Sequence, residues 1–364
     1  MDPSLTAIEL RGLGKRYNLA DGHARETPRE VPDLSHVQSC YETALFAVQE
    51  DTEQAFLEAF FKRARQDDVL PNFRVHIHHS ASAAIEVVAL ILREQGRSVA
   101  LLSPTFDNLP ALLSRAGVPL IALPDRGDPS TWSEWVASMR PGAVFLVLPN
   151  NPTGTELSET EFSGLLEVCA KHRILLVLDA SFRFYSFLNT WNQARLLRDA
   201  GISFLVIEDT GKTWALCDLK ASPLWCSNDL AGQVARITED MLLNVSPFTL
   251  TLLTHAILTQ DTLGAIGNNR MVLREHLPAD FPPVTIGSLS VEWVRTPERV
   301  TSSQVYSRLD EMGVAVLPGR QFFWNGDTQG ERHFRIALHR GPHYFQEAAA
   351  RLGQVIEELV RKNN

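Results

Sequence analysis

An α/β fold with a mostly parallel sheet, followed by a smaller α+β domain, is the architecture that this sequence predicts. Short apolar, β-branched segments alternate with segments of helical periodicity as far as Leu258. Alternation of this kind is typical of parallel strands that helices cover on both faces. The length of 364 residues also exceeds that of one typical domain and indicates two.

The elements of the first two thirds follow in chain order. Residues 1–40 are polar, with scattered glycine and proline, and we expect an arm or lid with little regular structure. Phenylalanines at helical spacing predict helix between residues 39 and 65. In the large domain, residues 41–265, the candidate strands are residues 74–77, 98–102, 120–123, 143–148, 174–178 and 202–207. Helices over residues 82–94 and 159–172 lie between them.

After Leu258 the pattern changes. A helical stretch over residues 263–276 is predicted to lead into a small domain, residues 266–364. Candidate strands of this domain are residues 289–294, 314–316 and 334–338, and a final helix is predicted over residues 343–362.

The composition is that of a soluble globular protein, with 45% hydrophobic and 21% charged residues. The net charge of −9 and the lack of a long basic run argue against a nucleic-acid partner. No apolar stretch reaches the ~18 residues of a membrane span, and residues 1–19 lack the apolar core of a signal peptide. We therefore expect a cytoplasmic protein with no membrane partner.

Neither the cysteines nor the histidines indicate a metal site. The cysteines have no zinc-binding spacing, and we expect reduced thiols. They are Cys40, Cys169, Cys217 and Cys226. His76 and His78 would share one face of a strand, but no carboxylate or cysteine partner is evident nearby in the sequence. A polar cluster at a strand end is therefore favoured over a metal site.

Polar residues follow three of the predicted strands. Asn151 lies in a Pro-Asn-Asn-Pro-Thr-Gly motif after one strand, Asp179 directly follows the next, and Lys212 lies shortly beyond the third. Alone, these residues would be a turn residue, a helix cap and a surface lysine. At one edge of one sheet, they are the set that a pyridoxal phosphate (PLP) enzyme needs. Lysine forms the Schiff base, aspartate pairs with the pyridinium nitrogen, and asparagine holds the ring hydroxyl.

These motifs resemble the fold-type I PLP enzymes, the aspartate aminotransferase superfamily, over most of the chain. Arg335, in Phe-Arg-Ile-Ala-Leu, matches the family arginine that clamps the substrate α-carboxylate. Phe106 falls where the family stacks an aromatic ring on the cofactor, and Ser181 is a candidate phenolate contact or supporting residue. The resemblance implies a homodimer with its active site at the subunit boundary, to which the helix around Phe56 and Phe60 could contribute.

The segment Ser80-Ala81-Ser82 follows a strand and opens a helix. Such helix N-termini cradle phosphate groups, and the family has its phosphate-binding loop here; a serine cap is compatible with that role. Two other positions depart from the aminotransferase pattern. Lys220 replaces a phosphate-clamping arginine and supplies only a point charge. Asp209 replaces a phosphate-binding hydroxyl, and because it would repel a phosphate we expect it to face a cationic substrate.

These departures fit a narrower branch of the superfamily. The chain resembles the PLP- and O2-dependent arginine oxidases of antibiotic biosynthesis, in segments spread from near residue 6 to residue 340. The shared segments are residues 18–25, 104–108, 207–212, 218–221 and 335–338. The resemblance implies oxidation of L-arginine by O2 through a quinonoid, which gives 4-hydroxy-2-ketoarginine, 2-ketoarginine or both, with H2O2.

Further residue roles follow from this resemblance. Glu9 and Asp209 are the candidate acceptors of the substrate guanidinium, with Thr6 as a further hydrogen-bonding group. Asp21 is a candidate substrate contact, and His23 is the candidate general base or water-positioning group. We expect the arm to be mobile without substrate and to close over it.

Two other enzymatic outcomes stay open. The same oxidation could end in a 4,5-dehydroarginine, which would make the protein a desaturase. Alternatively, an ordinary aminotransferase for a basic amino acid would use a keto acid and no O2. A non-catalytic regulator on this fold would need a DNA-binding segment, and no basic helix-turn-helix pattern precedes residue 40.

Overall fold

The computed structural model describes residues 3–25, 34–126, 128–186, 191–216, 218–260 and 264–363. The expectations for Cys217 and for the start of the helix at Leu263 lie outside these residues. Within them, the predicted α/β architecture with a mostly parallel sheet is confirmed.

The N-terminal segment is more regular than the sequence predicts. It contains helix α1 (Leu5–Gly12) and the short strand β1 (Tyr17–Asn18), and a second helix, α2, covers Leu34–Leu45. The expectation of little regular structure was wrong. Helix α1 buries Leu5 and Ile8 in a cluster with small-domain side chains, so its stabilising partners lie far along the chain.

The helical region predicted over residues 39–65 consists of α2 and a separate helix, α3 (Gln49–Arg63). Phe56 and Phe60 of α3 are fully buried inside the protomer. Their rings pack on each other, with centroids 6.1 Å apart. These two side chains therefore pack in the core of the protomer, and a contribution of the surrounding helix to a subunit interface stays a prediction.

A seven-stranded sheet forms the centre of the large domain. In chain order its strands are β2 (Arg74–His78), β3 (Val99–Ser103), β4 (Leu120–Pro124), β5 (Ala143–Val147), β6 (Leu175–Asp179), β7 (Phe204–Ile207) and β8 (Ser222–Cys226). Across the sheet the order is β2-β8-β7-β6-β5-β3-β4, and all neighbours from β7 to β4 are parallel. Strand β8, which the sequence did not predict, is antiparallel to both neighbours. Its Ser-Pro-Leu-Trp-Cys sequence lacks the β-branched residues that mark the other strands.

Helices cover the sheet, as the alternating pattern predicts. They are α4 (Val69–Asn72), α5 (Ala81–Glu94), α6 (Asn108–Arg115), α7 (Trp132–Met139), α8 (Glu159–His172), α9 (Gln193–Ala200), α10 (Ala231–Met241) and α11 (Pro247–Thr259). Two of them start at strong local signals. Ser80 caps α5, and Ser158 with Glu161 forms a capping box at α8.

The carboxyl ends of β5, β6 and β7 are level with one another. Val147, Asp179 and Ile207 are Cα partners across the three strands. The chain therefore leaves the sheet at the same edge after each strand, and Asn151 and Lys212 follow on either side of Asp179.

The C-terminal part is an α+β unit with its own apolar cluster. Its elements are α12 (Gly264–His276), β9 (Val291–Arg295), α13 (Ser302–Glu311), β10 (Val314–Ala315), β11 (Leu317–Pro318), β12 (His333–Ala337) and α14 (Pro342–Asn363). Strands β11, β12 and β9 form an antiparallel sheet, whereas β10 pairs in parallel with β1 of the arm. The strand predicted at residues 314–316 corresponds to β10, and β11 begins just beyond it in a different sheet. The domain boundaries near residues 40 and 265 remain predictions.

The arm is tied to the small domain by backbone and arginine contacts. The N–H of Leu19 donates to the carbonyl of Ala315 at 2.9 Å. Buried Arg340 donates from Nε to the Asn18 carbonyl at 2.9 Å and from Nη1 to the His23 carbonyl at 3.0 Å. The arm is therefore in a closed position, and its opening remains a prediction.

None of the described helices is both long enough and apolar enough to cross a bilayer. Within the same residue ranges, no three or more histidine, cysteine, aspartate or glutamate side chains are grouped so that they could hold a metal ion.

Candidate active site

A cavity of about 290 Å³ opens at the carboxyl edge of β5, β6 and β7. Every predicted site residue except Asp21 and Arg335 lines this active-site cavity. Its polar lining residues are Thr6, Glu9, His23, Ser80, Ser82, Asn108, Asn151, Asp179, Ser181, Asp209, Lys212 and Lys220. Phe106 and Phe182 are among the apolar ones. The arm, the strand ends and the start of α5 therefore meet at one place.

Asp179 ends β6 and is buried. Its Oδ1 accepts from the Ser181 N–H at 2.9 Å and from the Ser181 hydroxyl at 2.5 Å. Burial outweighs these bonds and, with the charge of Asp209 adding to it, raises the pKa of Asp179 to about 6. A protonated pyridine nitrogen is the kind of cation that would keep this carboxylate ionised, so Asp179 fits PLP.

Asn151 has its amide orientation fixed by Arg335. Its Oδ1 accepts from Nη1 of Arg335 at 3.2 Å. The amide nitrogen is therefore the atom left to donate to a ligand oxygen, and no acceptor for it is found in the described part of the chain. A donor is what the ring hydroxyl of PLP needs, so Asn151 fits as well.

The N-terminus of α5 forms one end of the cavity. Ser80 caps the helix by accepting from the Ala83 N–H at 3.3 Å, and the Ser82 hydroxyl accepts from Nδ2 of Asn108 at 3.3 Å. The N–H groups of a first helical turn and the helix dipole favour an anion. With Lys220 in the same lining, these residues fit the phosphate of PLP.

His23 lies between two lysines and a carboxylate. Its Nε2 is 3.4 Å from Nζ of Lys212 and 3.4 Å from Nζ of Lys220, while Nδ1 is 2.6 Å from Oδ1 of Asp21. Burial would raise the pKa of Asp21, but the hydrogen bond and charge of His23 and the charge of Arg340 lower it far below its ordinary value. Because an ionised carboxylate only accepts, Nδ1 carries a hydrogen, and Nε2 is the ring nitrogen that faces the lysines.

Asp21 supports His23 and does not line the cavity. Its second oxygen contacts Nε of Arg25, so its carboxylate bonds stay within the arm. The structure therefore does not bring the Asp21 carboxylate into the cavity lining, and its role as a substrate contact stays a prediction. Gly211 allows His23 and Lys220 to approach closely, because a Cβ there would lie 3.2 Å from His23 Cδ2 and 3.1 Å from Lys220 Cδ.

Arg335 lies behind the cavity lining and is only 1% exposed. Its Nη2 donates to Oε1 of Glu9 at 2.8 Å and also contacts the Ala20 carbonyl. Its buried Nε has no hydrogen-bond partner among the described residues. Glu9 additionally accepts from the Gly22 N–H at 3.3 Å. The predicted carboxylate clamp and one predicted guanidinium acceptor thus form an ion pair.

Asp209 lines the cavity beside Lys212 and is 4% exposed. Its Oδ1 accepts from the Gly211 N–H at 3.0 Å. The carboxylate is therefore held by its own loop, close enough to Asp179 to raise the pKa of that residue.

Sequence reasoning gave no role to two residues that hold the arm. One is Arg340, which donates to the carbonyls of Asn18 and His23. Asp107 accepts from the Leu5 N–H at 2.7 Å, and burial, with the charge of Glu9 adding to it, raises the pKa of Asp107 to about 6. Both contacts join residues far apart in the chain, so no local spacing could reveal them.

A comparison with protein families decides what kind of protein this is. The model of aminotransferase class I and II matches residues 29–352. The chain belongs to this family. The resemblance to the fold-type I PLP enzymes is thereby confirmed, and PLP is the cofactor that the family and the fold support.

Among solved structures, this class I and II aminotransferase family member is similar to MppP soaked with the product 2-ketoarginine. The two are 32% identical, with a TM-score of 0.85 and coverage of 93% of this chain and 99% of that one. LysN, the α-aminoadipate aminotransferase of Thermus thermophilus, shares the fold at 19% identity and a TM-score of 0.81, over 99% of this chain and 96% of that one.

Curated relatives are aminotransferases. The LL-diaminopimelate aminotransferase of Oleidesulfovibrio alaskensis is 24% identical over 243 residues, which is 64% of this chain. The chain spans only 59% of that relative's length. An L-glutamine–4-(methylsulfanyl)-2-oxobutanoate aminotransferase of Bacillus subtilis is 22% identical over 82% of this chain and 77% of that relative.

Proposed function

We propose that this protein is a PLP- and O2-dependent oxidase of L-arginine. One observation carries the proposal: the carboxylates of Glu9 and Asp209 line the same cavity as Lys212. A substrate whose α-amino group lies beside Lys212 would therefore extend its side chain towards two negative charges. These charges would select a cationic side chain. The 32% identity to MppP, solved with 2-ketoarginine, supports arginine as that substrate.

A planar guanidinium suits two carboxylates better than an ammonium does, because it donates in two directions at once. Thr6 lies in the same lining and adds a hydroxyl to the arm side of this subsite. Arg335 is proposed to hold the α-carboxylate of the substrate through Nε and Nη2, while Nη1 donates to Asn151.

The residues that would hold PLP follow from the fit above. Lys212 would form the covalent link, Asp179 would keep a proton on the ring nitrogen, and Asn151 would donate to the ring hydroxyl. Phe106 would cover the ring, and Ser181 orients Asp179. Ser80, Ser82 and Lys220 would hold the phosphate. When bound, PLP supplies an electron sink for the pair of electrons left at the substrate α-carbon.

Two side chains are proposed to move protons. The amine of Lys212 would take the α-proton of the substrate on Nζ. His23 presents the Nε2 lone pair to the cavity and can accept a proton from a water molecule or from the substrate side chain. Asp21 stabilises the imidazolium that results, since it already accepts from Nδ1 at 2.6 Å.

The proposed reaction balances with O2 as the oxidant. L-Arginine, one O2 and one water give 2-ketoarginine, ammonia and H2O2. A second O2 and a second water give 4-hydroxy-2-ketoarginine and a second H2O2. If the second oxidation is not followed by water addition at the side chain, L-arginine and two O2 give two H2O2 and the unsaturated imine of a 4,5-dehydroarginine, and the protein is a desaturase.

An ordinary aminotransferase is the second candidate, because the curated relatives above carry that activity in their names. An oxygen electrode distinguishes the two. The proposal expects O2 uptake and H2O2 release with L-arginine alone. Turnover that requires a keto acid and consumes no O2 would establish the aminotransferase and reject the oxidase.

We also propose a cytoplasmic homodimer. Large apolar side chains of α2 and the turn after it are exposed: Tyr41 is 54%, Leu45 57% and Phe46 90% exposed. These side chains replace Phe56 and Phe60 as interface candidates. Sedimentation at dilute concentration tests the proposal, and a fully active monomer would reject it.

A further inference from the structure

Four consecutive side chains contact the loop that carries Lys212. They belong to residues 182–185, which follow the Asp179 strand end and include a short 3-10 helix at Arg183–Tyr185. The ring of Phe182 lies under Nζ of Lys212, 5.9 Å from the ring centroid, and Arg183 donates to Glu208. The rings of Phe184 and Trp214 have centroids 4.8 Å apart, and Tyr185 donates to the carbonyl of Lys212. The segment that follows the aspartate is therefore attached to the lysine loop along its length.

The first part of this attachment is a buried ion pair. Arg183 donates from Nε to Oε2 of Glu208 at 2.8 Å and from Nη2 to Oε1 at 2.6 Å. Glu208 is fully buried, and its Oε1 also accepts from Trp225 at 3.2 Å. Because loss of either charge would leave the other buried and unpaired, this pair fixes the distance between the two loops.

The second part ends at the lysine itself. The hydroxyl of Tyr185 donates to the carbonyl of Lys212 at 2.6 Å, and it lies 3.0 Å from Nδ1 of His339. A phenol has one hydrogen and the carbonyl can only accept, so His339 donates from Nδ1 to the Tyr185 oxygen. Burial raises the pKa of Tyr185, which keeps this hydrogen in place.

We propose that Tyr185 is a positioning residue for Lys212. Its hydroxyl fixes the Lys212 carbonyl and thereby sets where the side-chain amine lies relative to the cofactor carbon that it must reach. A bond-forming amine is sensitive to displacements well below the length of a bond, whereas non-covalent cofactor contacts tolerate them. The inference rests on the proposed function only in needing PLP on Lys212, and it holds whatever the amino-acid substrate is.

A double-mutant cycle on cofactor affinity tests this role. Tyr185→Phe removes one oxygen atom, and Lys212→Ala removes the covalent link while it keeps the backbone carbonyl. PLP affinity is measured by equilibrium dialysis in the wild type, both single variants and the double variant. Tyr185→Phe should weaken PLP binding about fivefold when Lys212 is present, the size of one net hydrogen bond. In the Lys212→Ala background it should change PLP binding less than about twofold.

Thermal unfolding of the same four proteins without PLP separates positioning from stability. The Lys212 carbonyl survives in every variant, so the loss in Tm caused by Tyr185→Phe should be equal in both backgrounds. The matched control is Tyr306→Phe in the small domain, because the Tyr306 hydroxyl has no hydrogen bond among the described residues. It should leave PLP affinity unchanged.

Two results would overturn the proposal. Equal weakening of PLP binding in both backgrounds would make Tyr185 a structural residue of the whole site. No weakening in either would show that its hydroxyl does not place the lysine. Neither result depends on arginine or O2, so failure of the oxidase proposal would leave this test intact.

Discussion

Glu9 of the arm forms an ion pair with Arg335 of the small domain, with Oε1 and Nη2 at 2.8 Å. Glu9 therefore occupies one side of the group that is proposed to hold the substrate carboxylate. Substrate binding then requires an exchange, in which the α-carboxylate takes over donors of Arg335 and Glu9 becomes available to the guanidinium at the other end of the substrate. A ligand that carries both charges drives this exchange better than one that carries a single charge.

Glu9→Gln is the first test of that exchange. Gln keeps the shape but loses the charge, so a charge-assisted hydrogen bond to the guanidinium disappears. We expect the KM for L-arginine to rise roughly tenfold to hundredfold. Steady-state O2 uptake measures the change. Glu50→Gln, at an exposed position in the first turn of α3, is the matched control and should behave as wild type. An unaltered KM in Glu9→Gln would remove Glu9 from the substrate site.

Arginine should be preferred strongly over citrulline. Citrulline has the same length but no charge, and would leave the carboxylates of Glu9 and Asp209 desolvated and unpaired. This loss is on the order of 2–4 kcal/mol, or roughly 30- to 1000-fold in kcat/KM. Asp209→Asn should lower the ratio of kcat/KM for arginine to kcat/KM for citrulline. Equal kcat/KM values for arginine and citrulline would contradict a guanidinium site.

Lys212→Ala should lose the covalent cofactor link. Borohydride reduction of the PLP-loaded wild type, followed by peptide mapping, should place the reduced cofactor on Lys212. Lys220→Ala is the matched control, because its amine lies equally far from His23. It should weaken PLP binding through the phosphate but keep the reducible link. A reduced adduct on Lys220 would reverse the two assignments.

Asp179 should destabilise the cofactor-free protein at neutral pH. Its pKa is raised from 3.8 to about 6, so between these values the folded protein binds more protons than the unfolded chain. The unfolding free energy then falls as the pH rises from about 4 to about 6, and it levels off above that range. Asp179→Asn cannot titrate but keeps an acceptor for Ser181. Between about pH 4 and about pH 6, the unfolding free energy of Asp179→Asn should therefore rise by about 3 kcal/mol relative to that of the wild type.

Denaturant unfolding of the cofactor-free proteins at pH 4 and pH 7 measures this gain. Adding PLP should reverse the order at pH 7, because only the carboxylate pairs with the ring nitrogen. A stability difference between the two proteins that does not change with pH would show that Asp179 does not titrate in this range.

His23→Ala should separate the two oxidations. Lys212 still removes the α-proton, so O2 uptake and 2-ketoarginine should persist. Hydroxylated product should fall at least tenfold if Nε2 positions or activates water. Mass spectrometry of the products measures the ratio. His343→Ala, on the exposed start of α14, is the control. An unchanged product ratio in His23→Ala would assign water delivery to another group.

The sequence predicts the cofactor site better than the parts that surround it. Asn151, Asp179 and Lys212 each follow an apolar strand, so local patterns and the geometry of parallel sheets bring them together. Strand β8 was missed because its burial comes from its neighbours and not from its own composition. The arm helix α1 was missed for the same reason.

Contacts between residues that are far apart in the chain have no local sequence pattern that could predict them. Asp107 holds Leu5, and Arg340 holds the backbone of the arm, but neither has a characteristic spacing from its partner. Asp21 illustrates the opposite case. It lies in a segment shared with the arginine oxidases, yet its carboxylate is engaged by neighbours in that same segment, and only coordinates reveal which way it points.

Pairing of β1 with β10 makes the position of the arm depend on the small domain. The residues proposed to hold PLP all lie at or before Lys220, whereas Arg335, Arg340 and β10, which hold the arm, lie in the C-terminal part. A chain truncated before β10 would keep every residue proposed to hold the cofactor and would lose the ion pair of Glu9 with Arg335. Cofactor binding and amino-acid recognition are thus encoded in different parts of the sequence.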